Sequence, residues 1–118
     1  MDSPIHLRER SVLAAQIAEL QVRKDVASPE FRHGAVDALH WLCAGGPGPL
    51  SGVLAGLPVR SQAIVRELAA AEAIIYGEPS ACRDYACGLE HALMWAECAT
   101  PAPPVPERRR PAGAGTGS

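Results

Sequence analysis

Apolar residues recur three and four positions apart in four segments of the chain, which is the period of an amphipathic α-helix. Proline near the start of a segment, and glycine or proline just beyond its end, indicate where each helix begins and ends. The pattern predicts helices over residues 4–25, over 29–44, from Pro58 or Ser61 to the residue before Gly77, and over 79–99. Their short connections are typical of antiparallel neighbours, so we predict a compact all-α domain of four helices.

The sequence repeats itself across the second and fourth helices. Residues 30–41 read EFRHGAVDALHW and residues 84–95 read DYACGLEHALMW, so an acid, an aromatic residue, Gly, Ala-Leu and Trp recur at the same offsets. Both tryptophans of the chain belong to this repeat. Because a helix precedes each copy, we predict that the domain is built from two similar helical hairpins.

Within each copy of the repeat, the glycine and the tryptophan fall together on one shoulder of the predicted core face. The missing side chains of Gly34 and Gly88 leave a notch that an indole ring or a crossing helix can approach. We interpret four residues as packing anchors: Gly34, Trp41, Gly88 and Trp95. A ligand groove with two tryptophan walls is the alternative interpretation.

Composition favours helices and a single domain. The chain has 118 residues, of which 21 are alanine and only five are Phe, Trp or Tyr, whereas sandwiches and barrels use more aromatic surface. We assign residues 1–100 to one domain. Residues 101–118 read PAPPVPERRRPAGAGTGS and offer one sizeable apolar side chain, so we predict a disordered tail rich in Pro, Gly and Arg.

Charge and hydropathy exclude several classes of function. Residues 1–100 hold eight basic and twelve acidic side chains, so we do not expect a nucleic-acid partner. The longest uncharged run, residues 41–59, is broken by eight Gly or Pro residues and does not predict a membrane span. Since no export signal is evident, we expect a cytoplasmic protein whose four cysteines are reduced thiols.

The outer face of the fourth helix has an unusual composition. Its residues are spaced four, three and four positions apart and form one stripe opposite the predicted core: Cys87, His91, Met94 and Cys98. A helix that is rather apolar on both faces is typical of one whose far side is covered by a second subunit. We therefore expect a protein-binding module that uses this stripe to bind itself, as a homodimer, or another protein.

Two alternative functions are also open. Thiolate and imidazole are ligands for zinc or copper, so Cys87, His91 and Cys98 are candidate metal ligands or redox-sensing thiols. Their spacing matches no established metal-binding motif. A DNA-binding regulator is the second alternative, because a short turn joins the third and fourth helices.

The sequence contains no catalytic template, and we predict a non-catalytic protein without a cofactor. The glycine-rich segment at residues 45–56 lacks the lysine of a phosphate-binding loop, and its prolines remove backbone N–H donors. Four apolar residues in and next to this segment have helical spacing: Leu50, Val53, Leu54 and Leu57. We expect them to form a short turn that covers one end of the core.

Overall fold

The computed structural model describes residues 7–25 and 27–97. Its four helices are α1 (Arg10–Val22), α2 (Pro29–Ala44), α3 (Ser61–Ile75) and α4 (Arg83–Ala96). Two short antiparallel strands, β1 (Gly46–Pro47) and β2 (Leu54–Ala55), form a ribbon between α2 and α3. Helix α1 packs on α2, α3 packs on α4, and α2 and α4 pack on each other, which confirms an all-α fold of two helical hairpins. The predicted tail, residues 101–118, lies outside the described residues.

Helix α2 has the predicted bounds because its start is encoded locally. Ser28 precedes the helix in an extended conformation, and its hydroxyl oxygen accepts a hydrogen bond from the backbone N–H of Phe31 at 3.2 Å. Pro29 then occupies the first helical position, where the missing N–H costs nothing. The start of α3 at Ser61 is also one of the two predicted positions.

Helices α1 and α4 begin later than predicted. Residues 7–9 are not helical, because the backbone N–H of Arg8 donates to the carbonyl of Ala96 at 2.8 Å and ties this segment to the end of α4. Residues 79–82 do not begin α4, because the Ser80 hydroxyl accepts from the N–H of Cys82 and forms a local turn. Both differences arise from hydrogen bonds, which cannot be predicted from the spacing of apolar residues.

The core lies between all four helices. Its largest fully buried apolar side chains are Leu20, Leu39, Ile64, Leu89 and Leu93. Six alanines are also completely buried: Ala35, Ala38, Ala71, Ala86, Ala92 and Ala96. Because a methyl group occupies little space, these alanines let the helix axes approach closely. The alanine-rich composition is therefore used in packing as well as in helix formation.

The segment between α2 and α3 forms the β-ribbon, and only part of the expected turn is present: residues 49–51 form a turn that packs Leu50 against the core. Gly45 and Gly46 have φ values of 73° and 97°, which end α2 and turn the chain back. Leu54 and Leu57 are 77% and 56% exposed instead of covering the core. Val59, which is 3% exposed, takes a core position in their place.

Candidate functional site

Helices α2 and α4 cross at the glycines of the repeat. A Cβ atom added to Gly34 would lie 2.0 Å from the carbonyl oxygen of Tyr85, and one added to Gly88 would lie 1.9 Å from that of Phe31. The backbone of the crossing helix, rather than an indole ring, therefore occupies each notch. Since Phe31 and Tyr85 are equivalent positions of the repeat, the two contacts are related by an approximate two-fold axis.

The same two-fold relation holds for a second pair of contacts. The ring of Phe31 packs edge-on against His91, with 6.1 Å between the ring centroids. The hydroxyl of Tyr85 donates to Oδ2 of Asp37 at 2.5 Å. Asp37 and His91 are equivalent positions of the repeat, so each aromatic residue contacts the polar residue of the other copy. The repeat thus forms a reciprocal interface within one chain.

The two tryptophans are nearly buried and have different partners. Trp41 is 4% exposed, and its Nε1–H donates to the carbonyl of Gly46 at 3.1 Å, which ties the ribbon to α2. Trp95 is 5% exposed and lies under Arg8, whose guanidinium carbon is 4.8 Å from the ring centroid. Nε of Arg8 also donates to the Trp95 carbonyl at 2.7 Å, near the negative end of α4.

The stripe on α4 is only partly at the surface. Met94 is 37% exposed, whereas Cys87 and His91 are half-buried. Cys87 packs against the edge of the core, and His91 contacts Phe31 of α2. Cys98 lies outside the described residues. Periodicity placed these residues away from the core, but the neighbouring helix covers part of that face.

The metal-binding alternative is not tested by the part of the chain that the structure describes. Within that part, no three His, Cys, Asp or Glu side chains lie close enough together to hold a metal ion. One of the three candidate ligands, Cys98, falls outside it. A site formed by Cys87, His91 and Cys98 therefore stays a prediction.

Cys87 is poorly suited to act as a redox-sensing thiol. Burial raises the pKa of its thiol, the positive charge of Arg83 opposes this, and the carboxylates of Glu90 and Asp84 raise the pKa further. A sensor thiol needs a lowered pKa, because the thiolate is the reactive form. The environment of Cys87 favours the unreactive, protonated form.

We expect iodoacetamide to alkylate Cys82 faster than Cys87 in the native protein, by about tenfold near neutral pH. Cys82 is exposed just before α4, whereas Cys87 is half-buried and has a raised pKa. Labelling of Cys87 should continue to accelerate above pH 8.5, about where an unperturbed thiol is half-ionised. Mass mapping of peptides after brief labelling measures both rates, with denatured protein as the control. Faster labelling of Cys87 would contradict this expectation and favour the thiol-sensing alternative.

A buried carboxylate that the sequence analysis did not identify holds the ribbon loop. Glu67 of α3 is fully buried and accepts hydrogen bonds from the backbone N–H groups of Leu50 and Ser51, at 2.9 and 3.0 Å, and from the Ser51 hydroxyl. A Cβ on Gly48 would overlap the Glu67 side chain, so this glycine is needed for the close approach. The signal in the sequence is a charged residue three positions after Ile64, within the apolar stripe of α3.

Two grooves meet at Leu57 and Pro58, next to the ribbon. One groove, of about 350 Å³, extends towards α1 and α2, and the other, of about 240 Å³, extends along β2 and the start of α3. We call the combined surface the arginine-rimmed face. It comprises the apolar residues Leu7, Leu13, Leu42, Leu54, Leu57 and Pro58 and the exposed arginines Arg10, Arg60 and Arg66.

Comparison with known proteins gives no match to a protein family, a curated protein or a solved structure. Among the described residues, no helix is long and apolar enough to cross a membrane.

Proposed function

We propose that the chain is a small non-catalytic module that binds proteins, and first of all a second copy of itself, through the arginine-rimmed face. The observation that supports this is the exposure of two leucines, Leu54 at 77% and Leu57 at 56%, in adjoining grooves. Contiguous exposed apolar surface with a polar rim is typical of protein-binding sites. Covering such surface contributes about 25 cal/mol for each Å² removed from water.

The rim indicates the chemistry of the partner. Arg10, Arg60 and Arg66 are exposed and line the two grooves, and no acidic side chain of the described chain lines either groove. A partner surface that combines apolar and acidic side chains would match both features. Exposed Glu72 and Glu78 flank the exposed Tyr76 at the end of α3, so a second copy can supply such a surface. The proposed setting is the cytoplasm, where free thiols such as Cys43 and Cys82 remain reduced.

The stripe on α4 is a weaker candidate for the same role. Met94 is less exposed than either leucine, and its neighbours Cys87 and His91 are half-buried within the domain. An interface centred on Met94 would therefore bury less apolar surface. The geometry favours the arginine-rimmed face over the stripe.

Sedimentation velocity of the wild type, Leu57→Glu and Met94→Glu at high micromolar concentration tests the proposal. Leu57→Glu removes the apolar side chain at the junction of the two grooves and adds an acid among the rim arginines. A partner with apolar and acidic side chains would lose both kinds of contact, so we expect a folded monomer. Met94→Glu is the matched control, because it adds the same charge at another exposed apolar position. We expect the wild type and Met94→Glu to associate.

Two results would contradict this proposal. If only Met94→Glu becomes monomeric, the stripe on α4 is the self-association surface. If the wild type is monomeric throughout, the chain does not self-associate. Melting temperatures of the two variants near the wild-type value exclude unfolding as the cause of either result.

A further inference from the structure

A third groove, of about 360 Å³, lies between α2, the ribbon and the start of α4. It is a shallow groove that is largely open to solvent, which suits an extended segment lying along the surface better than an enclosed small molecule. It shares no lining residue with the arginine-rimmed face. Its lining includes Asp37, His40 and Trp41 on one face of α2, Pro47 and Pro49 from the ribbon segment, and Tyr85 from α4.

The groove presents a fixed negative charge. Asp37 is exposed, and no Lys or Arg of the described chain lines the groove. Burial, the hydrogen bond to Asp37 and the charges of Asp37 and Glu67 together raise the pKa of Tyr85 far above its usual value. The Tyr85 phenol therefore stays protonated and holds the Asp37 carboxylate in position. A carboxylate next to aromatic rings is a favourable environment for a guanidinium group.

The C-terminal segment of the same chain has the complementary composition. Residues 101–113 read PAPPVPERRRPAG, with prolines three positions apart followed by three consecutive arginines. Proline-rich segments bind in aromatic-lined grooves because a polyproline helix loses little entropy on binding. Arginine pairs with carboxylates through two parallel hydrogen bonds and stacks on aromatic rings.

The segment is long enough to reach the groove. Tyr85 lies eleven residues before Ala96, at the end of α4, which corresponds to about 17 Å along a helix. Arg108 lies eleven residues beyond Glu97, and a polyproline helix of that length spans about 34 Å. The chain can therefore run back beside α4 and place its arginines at Asp37.

We propose that residues 101–113 of the chain bind in this groove, with an arginine from 108–110 on the Asp37 carboxylate. The covalent connection gives the segment a high effective concentration, so it covers the groove without needing high intrinsic affinity. A free peptide of the same sequence must then compete with it. This inference does not depend on self-association, because the groove and the arginine-rimmed face share no residue.

Titration of a synthetic 101–113 peptide into full-length, ¹⁵N-labelled protein tests the proposal. The reporter is the indole N–H signal of Trp41, which lines the groove. The wild type is compared with a tail variant in which Arg108, Arg109 and Arg110 are replaced by alanine. The tail variant should bind the peptide about tenfold more tightly, because its own segment no longer competes.

Two further variants locate the contact. Asp37→Asn in the tail variant should weaken peptide binding about tenfold, because it removes the charge and leaves the amide oxygen for Tyr85. Asp84→Asn is the matched control, since Asp84 is an exposed acid of α4 that does not line the groove. We expect it to leave the affinity unchanged.

Three results would overturn the proposal: equal affinity of the wild type and the tail variant, no effect of Asp37→Asn, or no shift of the Trp41 signal at millimolar peptide. Repeating the titration with proteins that also carry Leu57→Glu separates this inference from the proposed function. Its outcome should not change, whether or not the chain self-associates.

Discussion

Replacing Gly88 by alanine is expected to destabilise the domain by about 3 kcal/mol, although alanine is the better helix former. The new Cβ would lie 1.9 Å from the carbonyl oxygen of Phe31 and 2.7 Å from its carbonyl carbon. These are backbone atoms that cannot rotate away, so α2 and α4 must separate and loosen the alanine contacts between them. Denaturant unfolding followed by circular dichroism measures the loss of free energy of unfolding.

The reciprocal contacts of Gly34 and Gly88 also predict how the two substitutions combine. Gly34→Ala should cost a similar amount, because its Cβ would lie 2.0 Å from the carbonyl oxygen of Tyr85. One separation of the helices relieves both clashes, so the double variant should lose clearly less than the sum of the single losses. Gly56→Ala is the control, since no atom lies within 4 Å of the added Cβ. Additive losses would contradict a shared crossing point.

Glu67→Ala is the other substitution with a large expected effect, a loss of about 3 kcal/mol. It removes the acceptor for three donors, the N–H groups of Leu50 and Ser51 and the Ser51 hydroxyl, and leaves a cavity next to the loop. Glu67→Gln should also lose much of this stability, because one carboxylate oxygen becomes an NH₂ group that faces donors. Thermal unfolding of the two variants checks both expectations.

Two control substitutions accompany Glu67→Ala: one removes part of the hydrogen bonding of Glu67, and the other leaves it intact. Ser51→Ala removes one donor to Glu67 and the exposed acceptor of the Val53 N–H, and it should cost about 1 kcal/mol. Arg66→Ala changes the exposed neighbour of Glu67 on α3 and should alter stability by less than about 0.5 kcal/mol. If Glu67→Ala is as mild as Arg66→Ala, the carboxylate does not hold the loop.

The parts of the fold that the sequence predicts are those encoded by neighbouring residues. Ser28 and Pro29 determine the start of α2 within a few positions of the chain, and the prediction of that helix is confirmed. The start of α1 depends on hydrogen bonds from Arg8 to the end of α4. Arg8 and its partner Trp95 are 87 residues apart in the sequence. No local pattern contains that information.

The ribbon and the exposed surfaces were less predictable for a related reason. Helical spacing at Leu54 and Leu57 suggested a buried turn, but Glu67 binds the loop from another helix and Val59 fills the core position. On α4, the helical period distinguishes residues on the core face from residues on the outer face. It does not show which neighbouring helix covers the boundary between the two faces. The contact of His91 with Phe31 is an example.

The reciprocal crossing of α2 and α4 has a consequence for assembly. A self-complementary surface normally joins two identical molecules, but here the two copies of the repeat lie in one chain and satisfy each other. Another molecule can use that surface only by exchanging a whole hairpin, with residues 45–60 as the hinge. Such an exchanged dimer would contain the same Gly34 and Gly88 contacts as the monomer, now formed between chains. Any association that leaves both hairpins in place must therefore use residues outside this crossing.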